Sequence, residues 1–179
     1  YVCGLSAGAS NTVNYLARDA ERTRMCFVDI AGDKRFGGIG SLVRHDGFFN
    51  SQWLYDEAIQ DGTLPIDWET FRTNPTRARI QSFERDTGRT VTWTNEDMTS
   101  PLTIARLVRG SSTMPIVKKP IEVEGQVMLD GGLGTGAGIP LHLAEEDGYE
   151  RFFFIGTREA GYRKSPMGRG NRGLMRLLC

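Results

Sequence analysis

The segment Gly4-Leu5-Ser6-Ala7-Gly8 constrains this chain more than any other. It follows a short run, Tyr1-Val2-Cys3, that has the character of the end of a β-strand. It precedes Ala9, Val13, Leu16, Ala17 and Ala20, which recur at helical spacing, while Asn14, Arg18, Asp19 and Glu21 lie on the other face. That pattern predicts a helix over 7–22. A strand that turns sharply into a helix strains the residue at the turn, so the positions two away, Gly4 and Gly8, are expected to carry little or no side chain. Such a turn lifts the serine hydroxyl clear of the sheet. It also sets it over a helix N-terminus, where free N–H groups and the helix dipole favour a developing oxyanion. Ser6 is therefore the candidate nucleophile, and the Ala7 amide a candidate oxyanion donor.

Composition limits the alternatives. The 179 residues predict a single domain spanning 1–179, long enough to bury a core without staples. Hydrophobic residues at 39% and charged residues at 25% describe a globular chain. Lys and Arg number 22, as do Asp and Glu, so no general attraction to nucleic acid is expected. No apolar run approaches the roughly 20 residues of a membrane helix, and since no charged n-region followed by an apolar stretch opens the sequence, no signal peptide is expected. A cytoplasmic location, with peripheral contact to a membrane surface, is the expectation. Cys3, Cys26 and Cys179 are far apart and form no C-x-x-C pair, which argues against a disulfide framework or a zinc site. No metal and no cofactor is expected. The 22 glycines exceed the usual share of about 7% and have no period, so they mark turns or close backbone approaches.

Further along, residues 36–49 form a glycine- and aromatic-rich loop, and Trp53 to Ile59 a helical turn. Arg77 to Phe83 and Thr90 to Thr94 are strand-like, with Asp86-Thr87-Gly88-Arg89 as the turn of a hairpin. Ser100 is placed to cap a helix that has Pro101 at its first position and ends near Gly110. Ile121–Val123 and Gln126–Leu129 flank Glu124-Gly125 as a second hairpin. Five glycines crowd the loop from Asp130 to Gly138, and a short amphipathic helix follows over 139–147. Arg151 to Ile155 has the continuous apolar character of a strand buried on both faces. A basic tail carries Arg163, Lys164, Arg169, Arg172 and Arg176, with a helix opening near Leu174. Strands alternating with helices predict a layered α/β domain with a largely parallel sheet.

A serine nucleophile needs a base. The order Ser6, Asp130, His142 is that of an α/β-hydrolase triad, but His142 falls within an amphipathic helical segment. His45 sits in a turn. Asp130 itself is the other candidate: it ends the apolar run Val127-Met128-Leu129, and Gly131-Gly132 let a neighbour approach its carboxylate. Carboxylates are weak bases near pKa 3.9, and burial strengthens them.

Gly4-Leu5-Ser6-Ala7-Gly8-Ala9-Ser10-Asn11 together with Leu129-Asp130-Gly131-Gly132 resembles the patatin-like phospholipases, in particular a bacterial branch. Asp86-Thr87-Gly88, Arg109-Gly110-Ser111-Ser112-Thr113-Met114-Pro115, Ile139-Pro140, Glu146-Asp147-Gly148 and the stretch from Thr157-Arg158 to Lys164 extend the likeness over nearly the whole chain. The resemblance implies a three-layer α/β/α domain and a Ser–Asp dyad hydrolase of lipid acyl esters. Ser6 is then the nucleophile and Asp130 the base, with no histidine in the pair. The family's glycine-rich oxyanion loop lies upstream of the nucleophile. The expectation is that this chain begins after that strand and loop and is a weak or inactive enzyme, since losing an oxyanion donor costs on the order of a hundredfold or more.

Two other readings stand beside it. Gly132-x-Gly134-x-x-Ala137 matches a relaxed dinucleotide fingerprint, with Glu159 placed for a ribose contact. Its weakness is Gly138-Ile139-Pro140, which delays the helix beyond the glycines. The third reading is an inactive lipid-binding module, with Trp53, Phe48 and the basic tail as its contacts. Met25, Met98, Met114 and Met128 are read as core fillers.

Overall fold

The computed structural model describes residues 1–38, 41, 48–115, 118–159 and 161–163. The described strands are β1 (Val2–Leu5), β2 (Ala78–Glu84), β3 (Thr90–Thr94), β4 (Ile121–Val123) and β5 (Gln126–Leu129). The main helices are α1 (Ala7–Leu16), α2 (Ala20–Phe27), α3 (Trp68–Thr73), α4 (Pro101–Ser111) and α5 (Leu141–Glu146). Together they make a mixed α/β fold around one open five-stranded sheet in the order β1-β2-β5-β4, with β3 also on β2.

The register of β2 decides where the functional residues meet. Strand β3 runs along one edge of β2, from Arg79 to Phe83. The opposite edge is shared. Strand β1 runs parallel along it as far as Leu5 beside Gln81. Strand β5 comes antiparallel from the other end and stops with Leu129 beside Phe83. The two strands therefore approach each other head-on, and the next residue of each, Ser6 and Asp130, arrives at the same level of β2, near Ser82.

Among the described strands only the β1–β2 pairing is parallel, while β2–β3, β2–β5 and β4–β5 are antiparallel. The expectation of a largely parallel sheet is corrected accordingly. The cause is local: two tight hairpins, one of them turned by Glu124 and Gly125 at φ 50° and 76°, supply most of the pairs.

Alternation along β2 sends Ala78, Ile80 and Ser82 to one face, where Ile80 joins Val13, Leu16, Ile104, Leu107 and Met128 in the main core. Arg79 points the other way and pairs with Glu146 and Asp147 at the end of α5. Helix α4 begins as anticipated, with the Ser100 side chain accepting from the Thr103 amide and Pro101 in the first turn.

Some expectations fail. The helix predicted over 7–22 is two helices, because Arg18 adopts φ 52° and the Asp19 carboxylate caps α2 by accepting from the Arg22 amide. The helical turn expected over Trp53 to Ile59 is present, as a π-helical turn, Trp53–Glu57, followed by a single α turn. Residues 151–155 are not a buried strand: they join none of the described strands, and Phe153 and Ile155 are 92% and 81% exposed. Apolarity alone cannot make a strand where no neighbour supplies the ladder. Met98 and Met128 are buried fillers, but Met114 is exposed. Trp53, read as a surface contact, is buried, whereas Phe48 is exposed. His45, Lys164, Arg169, Arg172, Arg176, the 174–178 segment and Cys179 lie outside the described residues, as does most of the 36–49 loop. No helix among the described residues is long and apolar enough to cross a membrane.

Candidate active site

Ser6 lies between β1 and α1 with φ 53° and ψ −124°, a conformation that non-glycine residues rarely adopt. Its Oγ donates to Asp130 Oδ2 at 2.7 Å. The other carboxylate oxygen, Oδ1, accepts from the Gly132 amide at 2.8 Å. Each oxygen of Asp130 thus has a donor, and the residue is buried at 8% exposure. The Asp130 amide donates to the Thr113 carbonyl at 2.8 Å, which ties the end of β5 to the segment after α4.

Of the motif glycines, Gly4 is required for packing. A Cβ there would lie 2.3 Å from the Gly8 carbonyl oxygen and 2.7 Å from Thr12 Oγ1. Gly8 is not: a Cβ on it would meet nothing within 4 Å. The expectation that both flanking positions must be bare is corrected for Gly8, because the helix carries it outward while Gly4 stays beneath the first turn. At Gly131 a Cβ would stand 2.2 Å from the Gln81 carbonyl oxygen. Gly132 has more room, its closest meeting being Asp130 Oδ1 at 3.1 Å. Ala7 is the first residue of α1, so its amide is among those without a partner inside the helix.

Two polar residues that the sequence reading left without a role hold this arrangement. Ser111 Oγ donates to the Gln81 carbonyl at 2.6 Å and accepts from the Ser6 amide at 2.9 Å. Gln81 Nε2 donates to the Gly131 and Thr135 carbonyls at 2.8 and 2.9 Å. Ser111 falls in the Arg109–Pro115 stretch that carries the family resemblance, though with no role given to it, whereas Gln81, a glutamine in a strand, carried no signal of its own.

His142 lies on α5, its buried Nδ1 has no hydrogen-bond partner among the described residues, and it makes no hydrogen bond to Ser6 or Asp130. The glycine loop forms a short 3₁₀ turn at Gly131–Leu133, and α5 starts only at Leu141. No helix N-terminus therefore stands at Gly132, Gly134 or Ala137, where a dinucleotide phosphate would need one. Glu159 is on the surface, outside any helix or strand. No cluster of metal-ligating side chains occurs among the described residues.

Ser6 and Ala7 open onto a cavity of about 220 Å³. Its wall is mainly apolar, with Phe27, Phe36, Phe49, Leu54, Ile59 and Ile104 prominent. Burial pushes the Cys26 thiol in this wall above the usual cysteine range. Burial also draws the Arg22 guanidinium down, and its Nε donates to the Pro65 carbonyl at 2.7 Å. A nucleophile with a hydrogen-bonded carboxylate, a helix N-terminus beside it and an apolar cavity in front suit attack on a carbonyl that carries an apolar chain.

Comparison with protein-family models finds no match to this chain, and comparison with curated proteins finds none.

Proposed function

We propose that this chain is a patatin-like serine hydrolase of lipid acyl esters, working through a Ser6–Asp130 dyad. The observation that carries the reading is the 2.7 Å hydrogen bond from a strained Ser6, which lines an apolar cavity, to a buried Asp130. Asp130 takes the hydroxyl proton as Ser6 Oγ bonds to the acyl carbon. The tetrahedral oxyanion faces the first amides of α1, Ala7 among them. Collapse breaks the bond to the alcohol, which leaves with the proton from Asp130. Asp130 then deprotonates a water that hydrolyses the acyl-enzyme and restores Ser6. The chemistry calls for no metal or cofactor.

A three-layer α/β/α architecture over residues 1–179 belongs to the same proposal. It is supported by α1 and α4 packing on the Ile80 face while Arg79 reaches α5 from the other. A peripheral cytoplasmic enzyme that meets its lipid at a membrane surface fits this activity, with exposed Phe48 as one contact.

The test is labelling by a fluorophosphonate probe alongside hydrolysis of a short-chain ester. Ser6→Ala should abolish both and Asp130→Asn should slow both, with the fold retained by circular dichroism. If Asp130→Asn keeps full reactivity while His142→Ala loses it, a triad replaces the dyad.

A further inference from the structure

The described part of the cavity wall is electrostatically one-sided. Among the described residues its lining includes two cations, Arg22 and Lys118, and no aspartate or glutamate. The two cations differ in what surrounds them. Arg22 is buried and spends its donors on Asn14 Oδ1 and on the carbonyls of Pro65 and Leu64. Lys118 has no such set. Its ammonium donates to the Tyr55 hydroxyl at 3.2 Å and stands 5.2 and 5.9 Å from the ring centres of Tyr55 and Phe49. Both rings line the same cavity.

Aromatic faces attract a cation but do not neutralise it. The carboxylate nearest in sequence to Tyr55, that of Asp56, is already paired with Arg109 at 3.1 Å. Among the described residues no ion pair is recorded for Lys118. A positive charge held on rings in an apolar wall is an arrangement that receives an anion: Lys carries three N–H donors, and among the described residues one of them is used. Low polarity around it strengthens the attraction.

We propose that Lys118 is a specificity-determining residue that makes this cavity prefer amphiphiles carrying a negatively charged group, a carboxylate or a phosphate, over neutral ones. The proposal rests on the reading of the cavity as the acyl-ester site. It adds the charge class of the molecule that enters. Ser6 reacts at the carbonyl, and Lys118 sets which charged end is accepted.

The experiment is calorimetric titration of the chain with decanoate and with its neutral counterpart decanamide, repeated with decyl phosphate. Wild type should bind both anions about tenfold more tightly than the amide. Lys118→Met should erase that preference while leaving decanamide binding unchanged, and Lys118→Arg should keep it. A preference for decanoate alone or for decyl phosphate alone, lost in Lys118→Met, narrows the class to that anion. Equal affinity of wild type for anion and amide, no binding of either anion, or a preference that survives in Lys118→Met overturns the proposal. Ser6→Ala should retain the anion preference. Loss of reactivity in the dyad test and loss of charge selectivity here are therefore separate outcomes.

Discussion

The backbone amide of Ser6 donates to the hydroxyl of Ser111 at 2.9 Å, across 105 positions of sequence. The same hydroxyl donates to the Gln81 carbonyl at 2.6 Å. Where β1 leaves β2, Ser111 is interposed between the strand amide and the carbonyl it would otherwise approach. The helix that carries Ser111 thereby helps hold Ser6 at its unusual dihedral angles.

Ser111 is fully buried, and Ser111→Ala strands both the Ser6 amide and the Gln81 carbonyl. Leaving buried polar groups unmet costs about 1–3 kcal/mol. Urea denaturation should show a loss in that range. Fluorophosphonate labelling of Ser6 should also slow, although Ser6 and Asp130 are both intact. An unchanged labelling rate in a destabilised variant would show that Ser111 serves stability alone.

Asp130→Asn keeps the shape of the side chain and an acceptor oxygen but removes its ability to take a proton. General-base assistance contributes typically 10²–10⁴-fold. Ester hydrolysis and serine labelling should fall by about that factor. The midpoint of thermal unfolding should move little by comparison. Retention of the wild-type rate would remove Asp130 from the reaction.

The backbone at Ser6 suits glycine better than any other residue, with φ at 53°. Strain of this kind amounts to about 1–3 kcal/mol, and the added chain entropy of glycine offsets roughly 0.5–1 kcal/mol of it. Ser6→Gly should therefore be more stable than Ser6→Ala by about 1 kcal/mol, although both lack the nucleophile. Paired melting curves decide it, and an alanine variant at least as stable would argue against strain at this turn.

Gly4→Ala and Gly8→Ala are both substitutions in the same motif, and they should behave oppositely. A methyl at Gly4 collides with the Gly8 carbonyl and Thr12, so a loss of about 3 kcal/mol is expected. A methyl at Gly8 enters open space within a helix, where the change should be neutral or favourable by up to about 1 kcal/mol. Soluble yield and denaturation midpoints of the two variants make the comparison.

Cys26 lines the cavity, and its thiol is held above the usual cysteine range, chiefly by burial and against the smaller pull of Arg22. A raised pKa lowers the thiolate fraction at any given pH, so reactivity is missing at neutral pH and gained as pH climbs past the shifted value. Peptide mapping after iodoacetamide treatment should find Cys26 modified more slowly than a free cysteine at pH 8. Its rate should still be rising where free cysteine has levelled off. A rate matching free cysteine at pH 8 would contradict the burial.

What could be read from residues alone was local. Gly4 to Gly8 between a strand and a helix, Ser100-Pro101 before an apolar stripe, and the two hairpin turns are short-range chemistry, and each stands where it was expected. The break at Arg18 was not evident, because the apolar spacing continues through it and only the Asp19 cap interrupts the helix. Residues 151–155 misled for a related reason: four large apolar side chains suggest burial, but burial needs a partner surface, and sequence does not say whether one is opposite.

The sequence by itself determined that Ser6 sits on a strained turn at a helix N-terminus and that Asp130 ends a strand beside bare glycines. Only the tertiary structure decided that these two residues meet. Strands β1 and β5 use the same edge of β2 from opposite ends, and each stops one residue short of the other's path. Ser111 and Gln81, given no role by the sequence, then fix the two turns that remain. A pairing register is a long-range property, set by which edges of a strand are free once the whole sheet has assembled. Spacing along the chain therefore offers no substitute for it.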